Sequence, residues 1–392
     1  MGEANILVNP LHSSVVDRLD PQFAEIYTKY QAPRLQADQV TYEEYNADRS
    51  KYTFQIAPGP YPEVGNIKIY KVPVSGPEGE IDVQVFFPTE EAVAKGGLKN
   101  KDGKLPAHVD YHGGGFVIGN LQTDESWCRQ TCQAVGCIIL NVDYRMAPEY
   151  AHPIPLTDSW TALKWTFAHA EELRIDISRV SVGGLSAGAQ LSAVLALLAR
   201  DEPGMPKLVL QILTVPAVDA RFIPLEGPCD PSVPYESYLK NEFAPCLPLN
   251  RLRWFYNLWL GTDMGKQSPF PSKVTTFFPK LPFSDFLSYG LFGTLTPATE
   301  LRRKIAQNFR ASPILATSHA NLAPAYLHVA GVDTLTSEGI AYHEVLQKAG
   351  TPSTLKVYEG CGHPFGHWDG QLEKAKEYVQ DTISALKQAY MV

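Results

Sequence analysis

The chain has 392 residues, 44% of them hydrophobic, and sets 34 basic against 42 acidic side chains for a net charge of −8. That is enough apolar sequence for a large core, either one domain with insertions or two domains. The mild acidity and the lack of a Lys/Arg run exclude a nucleic-acid partner, and no stretch approaches the ~18 apolar residues of a membrane span.

Residues 1–50 show no strand rhythm. They hold one amphipathic helical segment, 21–31, with Phe23, Ile26, Tyr27 and Tyr30 on one face. Alternation with period two over 67–72 and 81–86 predicts a half-buried antiparallel pair. Residues 108–111, 137–142 and 208–213 are more continuously apolar, as central parallel strands are. A helix is expected over 156–170, with Thr157 and Asp158 as its cap residues. The short, partly β-branched run 179–183 reads as a buried strand. After it, Ala187, Leu191, Val194, Leu195 and Leu198 recur at helical spacing over 187–200.

The next stretch, 219–306, is rich in proline and aromatics, from Tyr235 and Tyr238 through Trp254, Phe255, Tyr256 and Trp259 to Phe292. An aromatic insertion after a strand end is an ordinary satellite core or a lid over an apolar pocket; the lid is favoured, with an irregular loop over 268–297. Strands return at 325–330 and 355–358, separated by a helix over 337–349 that ends at Gly350 with Pro352 beyond. A last helix covers 372–390. This alternation predicts an α/β fold with a mostly parallel sheet covered by helices on both faces. The expected organisation is a cap from 1–50 and 219–306 around a core of 51–218 and 307–392.

The chemistry-bearing residues sit at the ends of these strands. Gly184-Leu185-Ser186-Ala187-Gly188 lies between a strand and a helix, the context of a nucleophile elbow. The flanking glycines let strand and helix pass closely without Cβ clashes. His112-Gly113-Gly114-Gly115-Phe116 follows the strand at 108–111, and bare amides there could meet a developing oxyanion, with the Ala187 amide as a third donor. A serine hydroxyl needs a base, and the base needs an orienting carboxylate. Asp333, beyond the strand at 325–330, is the favoured acid; Glu338, in the first turn of the next helix, is its rival and more commonly a dipole partner there. His363, after the following strand and two glycines, is the favoured base, with His367 as competitor. The order Ser186, Asp333, His363 is that of α/β hydrolases.

With these residues in hand, the chain resembles the hormone-sensitive-lipase branch of α/β-hydrolase carboxylesterases. Four blocks carry the resemblance: residues 112–116, Asp143-Tyr144-Arg145-Met146-Ala147-Pro148-Glu149, residues 184–188, and Asp333 with His363-Pro364-Phe365. It covers roughly 65–218 and 307–392. It implies Ser186 as nucleophile, His363 as base then acid, and Asp333 as orienting acid. It further implies an oxyanion hole from Gly114, Gly115 and Ala187. His112 and Gly113 would be structural support, and Asp143, Arg145 and Glu149 scaffold residues paired beneath the site. Two features depart from the family pattern: Leu185 stands where the family has aspartate, and the 219–306 insertion is long.

The expected function is ester hydrolysis through an acyl-enzyme, with no metal or cofactor, on an apolar small-molecule ester or lactone. The same triad would serve a lactonase, deacetylase or acyl transferase. A non-catalytic hormone-receptor reading is disfavoured, because such receptors lack the triad histidine. Six scattered cysteines without a C-x-x-C pair, the absence of an N-x-[ST] sequon and of a signal-peptide pattern at Met1–Leu7 lead to an expected cytoplasmic protein with reduced thiols. A second copy of the chain, as a homodimer, is the candidate macromolecular partner.

Overall fold

The computed structural model describes residues 7–54, 56–262 and 297–391. The loop expected over 268–297, with the aromatics from Phe270 to Phe292, therefore lies outside the described residues up to Pro297, where a helix begins.

Eight strands form one sheet: β1 (Asn66–Val74), β2 (Gly79–Phe87), β3 (Leu105–Tyr111), β4 (Ile138–Asp143), β5 (Ile175–Leu185), β6 (Leu208–Thr214), β7 (Ala325–Ala330) and β8 (Ser353–Tyr358). Their order across the sheet is β1-β2-β4-β3-β5-β6-β7-β8. The β1–β2 and β2–β4 pairings are antiparallel and every other pairing is parallel, as the two kinds of apolar pattern predict. The helices in chain order are α1 (Pro21–Tyr30), α2 (Tyr42–Ala47), α3 (Glu90–Gly96), α4 (Glu125–Val135), α5 (Ile154–Ala168) and α6 (Ala170–Leu173). They continue as α7 (Ala187–Asp201), α8 (Glu236–Lys240), α9 (Leu249–Trp259), α10 (Pro297–Ala306), α11 (Thr336–Lys348) and α12 (Glu373–Tyr390).

Successive strand residues point to opposite faces, so two cores form. On one face Val109, Tyr111, Leu140 and Val182 pack under α5 and α7 through Leu156, Leu163, Leu191 and Val194. On the other, Ile139, Leu210 and Ile212 meet Trp127 and Cys132 of α4 and Val379, Ile383 and Leu386 of α12. Helix α1 joins this second core through Phe23, Ile26 and Tyr27.

Topology decides where a site can form. The chain leaves β3 toward β4 on one side, and leaves β5 toward β6 on the other, while β3 and β5 are neighbours with Tyr111 opposite Gly184. The loops after these two strands diverge, and the gap at their carboxyl ends is the crevice where open α/β sheets bind ligands.

One local expectation is corrected. Helix α5 begins at Ile154, and Thr157 and Asp158 lie inside it rather than capping it. Asp158 is fully buried, and it accepts a two-point contact from Arg145, with Nε and Nη2 each 2.8 Å from a carboxylate oxygen. A sequence pattern registers an aspartate near a helix start as a cap; it does not register the arginine 13 residues back.

Candidate active site

Ser186 stands where β5 ends and α7 begins, with φ 58° and ψ −111°. Side-chain-bearing residues avoid this conformation, at a cost on the order of 1–3 kcal/mol. The surrounding backbone enforces it. A Cβ on Gly188 would stand 1.7 Å from the Tyr111 carbonyl oxygen, and one on Gly184 would stand 2.2 Å from the same atom. Both glycines are thus required by close passage of β5 and α7 against the end of β3. The Ser186 N–H donates to the Thr214 carbonyl at 2.8 Å, which ties the turn to β6.

The expected acid and base, Asp333 and His363, come from the loops after β7 and β8. His363 Nε2 is 2.7 Å from Ser186 Oγ, and its Nδ1 is 2.7 Å from Asp333 Oδ2. All three side chains are buried, Asp333 completely. A carboxylate can only accept, so Nδ1 carries the proton and Nε2 offers its lone pair to the serine hydroxyl. The Leu335 N–H donates to Asp333 Oδ1 at 3.1 Å, so both carboxylate oxygens are engaged.

The loop that carries the acid is clipped by the insertion, a feature missed in the sequence reading. Asn241 Nδ2 donates to the Asp333 carbonyl at 2.7 Å, Ser237 Oγ to the Thr334 carbonyl at 2.6 Å, and Thr334 Oγ1 to the Leu247 carbonyl at 2.7 Å. A serine and an asparagine in an irregular stretch send no periodic signal, and only the fold brings them to Asp333.

Each residue of the glycine loop has a defined place. His112 is buried, lies flat against Tyr144 with ring centroids 4.4 Å apart, and donates from Nδ1 to the Gly113 carbonyl at 2.7 Å. The Tyr144 hydroxyl donates to the His112 carbonyl at 2.8 Å. Gly114 and Gly115 take φ of 114° and 61°, and a Cβ on Gly115 would stand 2.3 Å from the Phe255 ring. Phe116 stacks on Trp259 of α9 at 4.0 Å, so the aromatic insertion rests directly on this loop. Among the described residues, the amides of Gly114, Gly115 and Ala187 meet no protein acceptor. The three scaffold residues are not paired with one another. Asp143 lies 3.7 Å from His112 Nε2, Arg145 takes Asp158, and Glu149 takes Arg49 and the Tyr42 hydroxyl.

The rival residues go elsewhere. Glu338 does not face solvent at its helix start. It is buried, accepts the Val218 and Asp219 amides at 2.8 and 2.9 Å, and receives the Tyr238 hydroxyl. Burial, with the Asp219 charge nearby, pushes its carboxyl well above the ordinary range. His367 lies near Ser186 but pairs with Asp124, its Nε2 2.8 Å from Oδ1.

Leu185 now has a physical setting. It borders a cavity of about 20 Å³ whose other walls include Asp110 of β3, Asp124, Trp127, His367 and Tyr378. Burial raises the Asp110 carboxyl well above the usual range, and the Asp124 charge adds to this. An aspartate at 185 would place a third carboxylate against these two. Asp110 sits in a run read as apolar, where its chemistry was overlooked.

Above Ser186 and His363 opens a pocket of about 300 Å³. Its walls come from the glycine loop, from Ala37, Tyr52 and Phe54 near the amino terminus, and from Leu247, Leu252, Phe255 and Tyr256 of the insertion. Arg251 of α9 joins these two walls by donating from Nε to Asp38 at 2.7 Å. All six cysteines are free and buried, and among the described residues no group of three His, Cys, Asp or Glu side chains is placed to hold a metal.

A buried serine–histidine–aspartate chain at the end of a central parallel strand defines a serine-hydrolase type of site. The family profile described as alpha/beta hydrolase fold matches residues 108–282 and 295–367. An AB hydrolase superfamily protein of Schizosaccharomyces pombe is 31% identical over 387 residues, 97% of either chain. A Mycobacterium tuberculosis carboxylesterase, NlhH, is 32% identical over 288 residues, 73% of this chain and 74% of the relative. The solved esterase of Pyrobaculum calidifontis superposes with a TM-score of 0.64 at 27% identity, covering 83% of this chain and 86% of that one. The chain belongs to the alpha/beta hydrolase fold family, as a carboxylic ester hydrolase of its hormone-sensitive-lipase-like branch. No helix among the described residues is long and apolar enough to cross a membrane.

Proposed function

We propose that Ser186 is the nucleophile of this esterase, that His363 takes its proton and later returns it to the leaving alcohol, and that Asp333 holds the imidazole in the working tautomer. The observation that carries this reading is the continuous chain of two 2.7 Å contacts from Asp333 through His363 to Ser186. The free amides of Gly114, Gly115 and Ala187 would receive the oxyanion of the tetrahedral intermediate. The acyl-enzyme is then released by water that His363 deprotonates, with no cofactor.

The segments 1–50 and 219–306 serve as the cap over a core of 51–218 and 307–392, a division supported by their joint walling of the pocket. Its apolar lining suits a short-to-medium acyl group or a bulky apolar alcohol, a lactone included. Six buried thiols fit a cytoplasmic setting, and β8, an outer strand of the sheet, leaves an edge for a second copy of the chain.

The test is hydrolysis of p-nitrophenyl acetate and butyrate by wild type and Ser186→Ala, with fluorophosphonate labelling alongside. The expected result is a loss of at least about 10⁴-fold in kcat and no labelling of the variant. Wild-type rates in Ser186→Ala would end this assignment. Product analysis with an added alcohol separates hydrolysis from acyl transfer.

A further inference from the structure

A second histidine, His367, lines the same pocket and is paired with Asp124 behind it, and the proposed mechanism does not use this pair. His367 is four residues after His363, in the short turn Phe365–Trp368, and its backbone is fixed at both ends. Its N–H donates to the Pro364 carbonyl at 3.0 Å, and its own carbonyl accepts the Ala57 N–H at 3.1 Å. Asp124 orients the ring through the 2.8 Å contact at Nε2. The other nitrogen, Nδ1, takes no hydrogen bond among the described residues, and it is not one of their sealed, unpartnered polar atoms.

Three acidic residues lie around this ring. Asp124 touches it, Asp369 lies two residues along, and Asp110 faces Asp124 across the small cavity. Burial raises the carboxyls of Asp110 and Asp369. A carboxylate accepts, so with Asp124 at Nε2 the imidazole proton belongs there and the lone pair belongs on Nδ1. The pocket is mainly apolar, and Asn120, Gln122 and Thr123 are among the polar residues that line it with His367. A few convergent polar groups in an apolar pocket are what fixes a ligand's orientation.

We propose that His367 is a substrate-positioning residue whose Nδ1 accepts a hydrogen bond from a hydroxyl on the substrate, so that the site favours hydroxy esters such as monoacylated diols or hydroxyacyl esters. The inference rests on Ser186 being the nucleophile, but its test does not stand or fall with that reading. Two matched sets serve as probes. The first is 2-hydroxyethyl, 2-methoxyethyl and propyl butanoate, with the donor on the alcohol side. The second is p-nitrophenyl 3-hydroxybutanoate, 3-methoxybutanoate and butanoate, with the donor on the acyl side. The methyl ether keeps the oxygen acceptor and replaces the donated proton with a methyl group, and the third ester of each set lacks the oxygen without that added methyl.

In at least one set the wild type should prefer the hydroxyl over the ether by about tenfold in kcat/KM, with the difference in KM, since one hydrogen bond formed in both ground and transition state acts on binding. His367→Phe should bring that ratio to within about twofold of one, and His367→Gln, whose amide oxygen can accept, should restore part of it. Calorimetric affinities of the same esters for Ser186→Ala, with and without His367→Phe, read the preference with turnover removed. An unchanged hydroxyl-to-ether ratio in His367→Phe, by rates or by binding, overturns the proposal. A wild-type ratio near one in both sets does the same. Turnover that persists in Ser186→Ala, with the hydroxyl preference present in that variant and lost on adding His367→Phe, would fall on the catalytic assignment and leave this proposal standing.

Discussion

Two His–Asp pairs stand four residues apart on one loop, with nearly equal nitrogen–oxygen distances of 2.7 and 2.8 Å, and both rings border one pocket. What separates them is what each meets at its far side. His363 presents its second nitrogen to a serine held in a strained turn, and the oxygens of Asp333 are taken by the ring and by the Leu335 amide. His367 presents its second nitrogen to no protein group, and Asp124 shares its cavity with another buried acid. The pairing alone does not single out the proposed catalytic pair; the strained serine and the saturated carboxylate set His363 apart.

The largest expected effect contrasts the two aspartates. Asp333→Asn should lower kcat about 10³- to 10⁴-fold on p-nitrophenyl butyrate, because an amide can present the wrong partner to Nδ1 and favour the wrong tautomer; the protease triad gives that scale. Asp124→Asn should cost less than about tenfold on the same ester. Similar losses in the two variants would erase the distinction.

A smaller effect is expected under the serine. Leu185→Asp adds a carboxyl beside Asp110 and Asp124, so its melting temperature should drop by several degrees at pH 7.5. The drop should shrink at pH 5, where the added group can remain protonated. An equal drop at both values would point to lost packing rather than charge.

The smallest effect concerns Asp110 itself. Its folded-state pKa lies above the unfolded one, so between those two values the folded protein binds the extra proton. The contribution of this group to stability is therefore full at low pH and declines as pH rises through the folded value. Asp110→Asn removes that term, and the difference in melting temperature, variant minus wild type, should rise by a few degrees between pH 5 and pH 8. A flat difference would mean that Asp110 does not hold its proton in the fold.

Much of this was legible beforehand, for definite reasons. The strands announced themselves by alternation at 67–72 and by continuous apolar runs at 137–142 and 208–213. The serine turn announced itself because only glycine tolerates the Tyr111 carbonyl at 184 and 188. Asp333 and His363 followed from their places after successive strands. What stayed hidden depended on partners remote in sequence: Asp158 awaiting Arg145, Asp110 awaiting Asp124, and Ser237 and Asn241 awaiting the acid loop. Periodicity reports on which face a residue occupies. It does not report on what approaches that face from elsewhere in the chain.

The Arg251–Asp38 bridge carries one more consequence. The chemistry of the pocket is anchored on the sheet, whereas its shape is contributed by two stretches some two hundred positions apart that meet through this bridge. Substrate range can therefore drift, or be engineered, by exchanging wall residues such as Phe54, Leu247 or Leu252 while the reacting groups stay in place. The bridge makes the two walls one heritable unit. A graft that replaces one stretch without its partner across the bridge should lose the pocket before it loses the fold.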